Sequence, residues 1–176
     1  MVGYRRFRRA GGSYFFTLTL RNRRSRLLTD HVNTLRRAFQ ITQAERPFTI
    51  DAIVVLPEHL HAIWTLPKDD DDFPGRWRRI KSEFVQGLRK GGLRLHSNRR
   101  GEYSVWQRRY WEHYLRDQDD FIRHCDYIHY NPVKHGYVSK AIDWAWSSFH
   151  RYVAAGKYPA DWGSLDPNIE GATFGE

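Results

Sequence analysis

The chain has 176 residues and a formal net charge of +9, long enough for one domain with its own core and short for two. Its single cysteine, Cys125, excludes an intrachain disulfide and a zinc centre built on several thiolates. No stretch approaches the ~20 apolar residues of a membrane span, and MVGYRRFRRAGG is followed by no apolar signal segment, so the expectation is a cytoplasmic chain with a polyanionic partner.

Arginine greatly outnumbers lysine, and 15% of residues are aromatic, seven of them Trp. Guanidinium groups grip phosphates while rings stack on unpaired bases, which favours single-stranded nucleic acid over a regular duplex. The charge is uneven. Residues 1–26 hold eight Arg and no acid, residues 76–100 hold nine Lys or Arg against one Glu, and residues 160–176 hold four acids and no base. The two basic blocks are candidate walls of a phosphate-binding groove. The acidic residues 163–176 read as a mobile tail on a single domain, 1–162.

In chain order, Ser13–Arg21 alternates Tyr14, Phe16, Leu18 and Leu20 against Phe15, Thr17 and Thr19, the period of a strand. Thr29 or Asp30 is the predicted cap of a helix to about Ala44, ended by Arg46-Pro47. Phe48–Val55 and His59–Leu66 form two strands joined by a turn at Leu56-Pro57-Glu58. Asp72 or Phe73, just before Pro74, starts a helix through Leu88 with Trp77, Ile80, Phe84 and Leu88 on one face and a basic opposite face. A Gly/Arg loop spans 87–105. A strand at Tyr110–Arg116 and a helix from Asp117 through Tyr130, stopped by Pro132, complete the set, with a short helix after Trp146. This order predicts an α+β domain: the ferredoxin-like βαββαβ antiparallel sheet with two helices on one face, plus an additional C-terminal helix.

The stretch PEHLH carries the chemistry. On a strand, His59 and His61 point to one face, where two imidazoles can share a divalent ion. The alternative is a buried histidine pair satisfied by its neighbours. The last core helix reads RHCDYIHYNPVKHG, in which Tyr127 and Asn131 are four residues apart on one face, with His124 a turn earlier. Packed beside the histidine face, this helix would bring His59, His61 and the Asn131 carboxamide to one ion, leaving room for a phosphate oxygen. Tyr127 is then the candidate nucleophile, against a half-buried helix aromatic as the alternative; Tyr130 and Tyr137 are its rivals.

VVLPEHLH, WQRRYWEH and YIHYNPVKHGYV together resemble the REP-associated tyrosine transposases, a branch of the single-tyrosine HUH endonucleases, over Tyr4 to about Trp162. The resemblance implies His59 and His61 as the HUH histidines, Asn131 as third ligand in place of the glutamine or carboxylate of related enzymes, and Tyr127 as nucleophile. It implies Mg2+ or Mn2+, and strand transfer on single-stranded DNA through a 5'-phosphotyrosine without ATP. It also implies recognition of REP hairpins, with Tyr4, Arg5, Arg6, Arg76, Arg78 and Arg79 as candidate DNA contacts.

Lys134, beyond the helix end, is a further candidate for neutralising phosphate. Glu112 and His113 are candidate partners behind the site or a proton acceptor, or wet residues of an edge strand, and Glu58 reads as an exposed turn residue, with help to metal binding as the alternative. Two other functions compete. One is a noncatalytic single-strand-binding module on the same type of sheet, although the RNP-type pattern of such modules is missing. The other is a metal-dependent ribonuclease using His59 and His61 as acid and base. Monomer and dimer both remain open.

Overall fold

Alternation along SYFFTLT makes Ser13–Thr19 a strand, β1, with Tyr14, Phe16 and Leu18 on one side and Phe15 and Thr17 on the other. The computed structural model describes residues 8–164 apart from Asn98, Arg100 and Glu102. The expectations placed on Tyr4, Arg5, Arg6 and the tail from residue 165 lie outside the described residues. β1 pairs antiparallel with β3 (His59–Thr65) on one side and with β4 (Trp111–Tyr114) on the other, and β2 (Thr49–Val55) pairs with β3. The result is a four-stranded antiparallel sheet in the order β2-β3-β1-β4.

Helices α2 (Val32–Glu45) and α3 (Phe73–Lys90) cover the face bearing Phe16, Leu18, Leu60, Ala62 and Trp64. Trp64 and Trp77 stack at 3.9 Å between centroids at the centre of this layer. Burying each such side chain contributes about 1.5–3 kcal/mol, so this face is the main source of stability. The opposite face, with Phe15, Val54 and Ile63, is covered by α4 (Gln118–Lys134) through Cys125, Tyr127 and Ile128. The expected order of elements is therefore found, with the last long helix on the side of the sheet the other two leave open.

Two boundaries differ from the sequence reading. Thr29 and Asp30 do not cap the first long helix. They lie in a short helix, α1 (Leu27–Asp30), whose Leu28 is buried and donates its backbone N–H to Pro57 O at 3.1 Å, tying this segment to the β2–β3 turn. Pro132 does not stop α4, which runs on to Lys134. A Schellman closure outweighs the proline: Gly136, at φ +70°, donates to Val133 O at 2.9 Å and Tyr137 donates to Pro132 O at 3.0 Å. The edge of β2 is covered by residues 144–152. Val55 N–H donates to Trp146 O, Ser148 N–H to Ile53 O and the Trp144 indole to Val55 O, at 2.8–3.0 Å. This segment runs into α5 (Phe149–Ala154).

Candidate active site

β3 has Leu60, Ala62 and Trp64 in the main core, so strand geometry sends His59 and His61 to the α4 side. Both are buried, His61 completely. Each ring is held at Nδ1. Thr17, directly across from His61 on β1, places its hydroxyl 2.9 Å away, and Glu58 Oε1 lies 2.8 Å from His59. A carboxylate accepts only, so His59 Nδ1 is the donor and Nε2 is the ring nitrogen left to face the site.

Glu58 is a correction to the sequence reading: it is buried rather than exposed. Its backbone carbonyl accepts from Leu20 N at 2.7 Å, and its second carboxylate oxygen accepts from the Tyr137 hydroxyl at 3.4 Å. Burial raises the Glu58 pKa, but the hydrogen bond and charge of His59, with Arg23 beyond, bring it below the usual carboxylate range.

α4 lies along this histidine row. Tyr127 packs edge-on to His61, 5.1 Å between centroids, and His135 packs against His59 at 5.2 Å. Asn131, four residues from each, falls on the stripe between them. It is fully buried, and neither end of its carboxamide has a hydrogen-bond partner; the Nε2 atoms of His59 and His61 are likewise buried without one. Unpaired buried polar atoms each cost about 1–3 kcal/mol, and four on one face mark a place built for something else. The donor set, two imidazole nitrogens and an amide oxygen, fits a divalent cation. Burial first, and then the electrostatic influence of His59, His135, Lys134 and Arg23, hold the His61 pKa well below the histidine range, which leaves a neutral imidazole suited to ligation.

The other candidates separate. Tyr130 packs with Trp162 in a satellite cluster away from the histidines. Tyr137 is engaged with Glu58 and with Trp144, 5.2 Å between ring centroids. Lys134 is exposed, with Nζ 4.9 Å from the Tyr127 ring centroid. Glu112 pairs with Phe16, so it faces α2 and α3 and cannot stand behind the histidine pair. His113 is on the correct face but joins Asp120 and His124, whose ligand atoms lie within 4.8 Å of one another, another grouping able to hold a metal ion. Its groups bond one another and the backbone. His113 Nε2 lies 2.9 Å from Asp120 Oδ2, the same oxygen accepts from Arg116 N at 3.2 Å, and His124 Nδ1 bonds the Asp120 carbonyl at 2.7 Å. Phe15 separates this cluster from the His59–His61 row, packing on His124 at 4.8 Å and His61 at 5.5 Å.

Among the arginines, Arg76 is also a correction. It is 1% exposed, with its guanidinium bound to both Asp70 oxygens and to three backbone carbonyls. A DNA backbone cannot reach it. Arg79 is paired with Glu45 and Glu83, while Arg78 is exposed. Sequence reasoning overlooked Thr17 and misread Glu58. Their only signals were a threonine on the strand alternation and an acid adjoining a histidine.

No family model matches the chain. A REP-associated tyrosine transposase from Escherichia coli is 51% identical over 162 residues, covering 92% of this chain and 91% of that protein. A Haemophilus influenzae relative is 46% identical over 172 residues, 97% of each. The solved structure of a REP-associated tyrosine transposase bound to a REP hairpin superposes with a TM-score of 0.85 and 48% identity, covering all of this chain and 98% of that one. With half its residues shared along nearly its whole length, and a tyrosine on the last core helix packed against a strand-borne histidine pair, the chain belongs to the REP-associated tyrosine transposases.

Proposed function

We propose that the chain is a metal-dependent single-stranded DNA endonuclease and strand transferase that acts at REP-type hairpins through a covalent 5'-phosphotyrosine, on a ferredoxin-like frame whose added helix carries the nucleophile. The observation that carries this reading is the row of unpaired buried atoms, His59 Nε2, His61 Nε2 and the Asn131 carboxamide, beside Tyr127. The hairpin is taken from the relative of known structure, which was solved with one bound. A DNA substrate of this kind would put the protein with the bacterial nucleoid; no helix among the described residues is long and apolar enough to cross a membrane.

His59, His61 and Asn131 would hold the ion, Mg2+ or Mn2+; imidazole ligands suit Mn2+ better. When bound, a divalent ion polarises a phosphate oxygen and spreads the charge of the transition state. The protein's own groups do the rest. Thr17 and Glu58 fix the two rings, α4 holds Tyr127 over His61, and Lys134 stands where it can neutralise the incoming phosphate. The phenol oxygen attacks phosphorus and loses its proton, the bond to the 3' oxygen breaks, and that oxygen leaves as a protonated hydroxyl. Rejoining runs the same step backwards, with the phosphotyrosine retaining the bond energy. Arg78 and Lys134 are proposed backbone contacts, together with Tyr4, Arg5 and Arg6.

Incubating the protein with a REP hairpin oligonucleotide and Mn2+ tests the reading. A covalent protein–DNA band is expected, absent in Tyr127→Phe and carrying DNA on its 5' phosphate. A shifted but never covalent complex would make the chain a noncatalytic binding module instead.

A further inference from the structure

Trp111 is one of the few large apolar side chains left exposed among the described residues, at 36%. It stands at the start of β4, a sheet edge, where an exposed ring is an aggregation hazard that proteins normally remove. Its position is specific. In the β1–β4 register Trp111 faces Thr17, the residue whose hydroxyl holds His61. Two strand spacings, about 10 Å, therefore separate it from the catalytic histidine on the same face of the sheet.

The indole is also held firmly. Phe15 meets it edge-on at 5.7 Å, and His113 lies parallel to it at 5.7 Å and 8°. His113 is in turn stacked on His124 at 4.8 Å and 16° and pinned by Asp120 at 2.9 Å. The cluster thus fixes the angle of an exposed ring beside the proposed active site. Arg108 and Arg109, both exposed, closely precede it. An immobilised ring with exposed arginines two and three residues before it offers what unpaired nucleotides bind, a ring for bases and cations for phosphates.

We infer that Trp111 is a stacking platform for an unpaired base one or two nucleotides from the scissile phosphate, and that it sets where the strand is cut by fixing the register of the single-stranded foot. This rests on the function proposed above, and its test is made on binding so that the two can fail separately. In a Tyr127→Phe background, an abasic site is moved along the single-stranded part of the hairpin oligonucleotide and affinity is measured with and without Trp111→Ala. Either change alone is expected to weaken binding about 5- to 150-fold at one or two adjacent positions, and the two together no more than either. Losses that multiply at every position, or an unchanged affinity for Trp111→Ala, would overturn the inference. 2-Aminopurine placed at the same positions gives a readout that needs no Trp111 variant: quenching by the protein at those nucleotides and not elsewhere supports the platform, and uniform fluorescence refutes it. Trp111→Phe should keep most of the affinity. If wild type forms no covalent adduct while the coupling persists, the endonuclease reading falls and the platform stands.

Discussion

Two carboxylate–imidazole pairs lie on one face of the same sheet, and they are built to opposite ends. Glu58 holds His59 at 2.8 Å and Asp120 holds His113 at 2.9 Å. In the first pair the partner histidine, His61, and the helix residue Asn131 end in buried atoms with no hydrogen-bond partner. In the second the network closes: Asp120 accepts from His113 and from the Arg116 backbone, and His124 bonds the Asp120 carbonyl. Phe15 stands between them. The lesson is that ligand-type residues near one another do not identify a metal centre; the atoms they leave unpaired do. A closed network contributes to stability, whereas an open one costs stability and is retained for chemistry.

Opposite phenotypes should follow when the two networks are cut. His61→Ala should lower hairpin cleavage by more than the ~100-fold upper range of an outer-shell change, because a ring that would face the ion is gone. A variant that cleaves normally would break the assignment. Asp120→Asn should do the reverse, losing about 2–3 kcal/mol of stability as the His113 and Arg116 interactions weaken, with cleavage at saturating DNA within about threefold of wild type. The acid limb distinguishes it further. Burial raises the Asp120 pKa, but His113 and the Arg116 backbone hold it well below the usual aspartate range. Because the folded value is the lower one, its stabilisation is complete above the unfolded value and is lost as pH falls through the folded one. Urea titrations from pH 5 to pH 2 should therefore show a steeper loss for wild type than for Asp120→Asn; parallel curves would mean the pair contributes nothing.

Much of the candidate site was legible because it obeys simple periods. Strand alternation placed His59 and His61 together, and a four-residue helical step placed Tyr127 with Asn131. What was not legible depends on tertiary partners. The WEHY strand has polar and aromatic residues on both sides, so only its pairing with β1 shows that Glu112 faces the helices and His113 the site. Glu58 sits in a turn that looks solvent-exposed until α1 and Tyr137 close over it. Arg76 did carry a signal that was passed over: it lies four residues before Ile80 and eight before Phe84, on the buried stripe of α3. The helix end was hidden by Pro132, whose usual effect was outweighed by Gly136 four residues later.

The finest test of the contrast between the two networks changes a charge without changing a shape. Glu58→Gln keeps an oxygen to accept from His59 Nδ1, so the ring stays in place, but it removes the negative charge that makes the imidazole a stronger ligand. Calorimetric titration with Mn2+ should show affinity reduced about 10-fold, the lower end of what such partners contribute, with folding stability little altered. The Tyr137 hydroxyl donates to the other Glu58 oxygen, and in the variant that position is an oxygen or an amide nitrogen according to how the new carboxamide is turned. Adding Tyr137→Phe to Glu58→Gln therefore separates the two causes. A further loss of Mn2+ affinity means that the hydroxyl holds the side chain in place, and no further loss assigns the whole effect to charge. If Glu58→Gln leaves the Mn2+ affinity at the wild-type value, His59 is not a ligand, and the open network on this face was left open for something other than a metal.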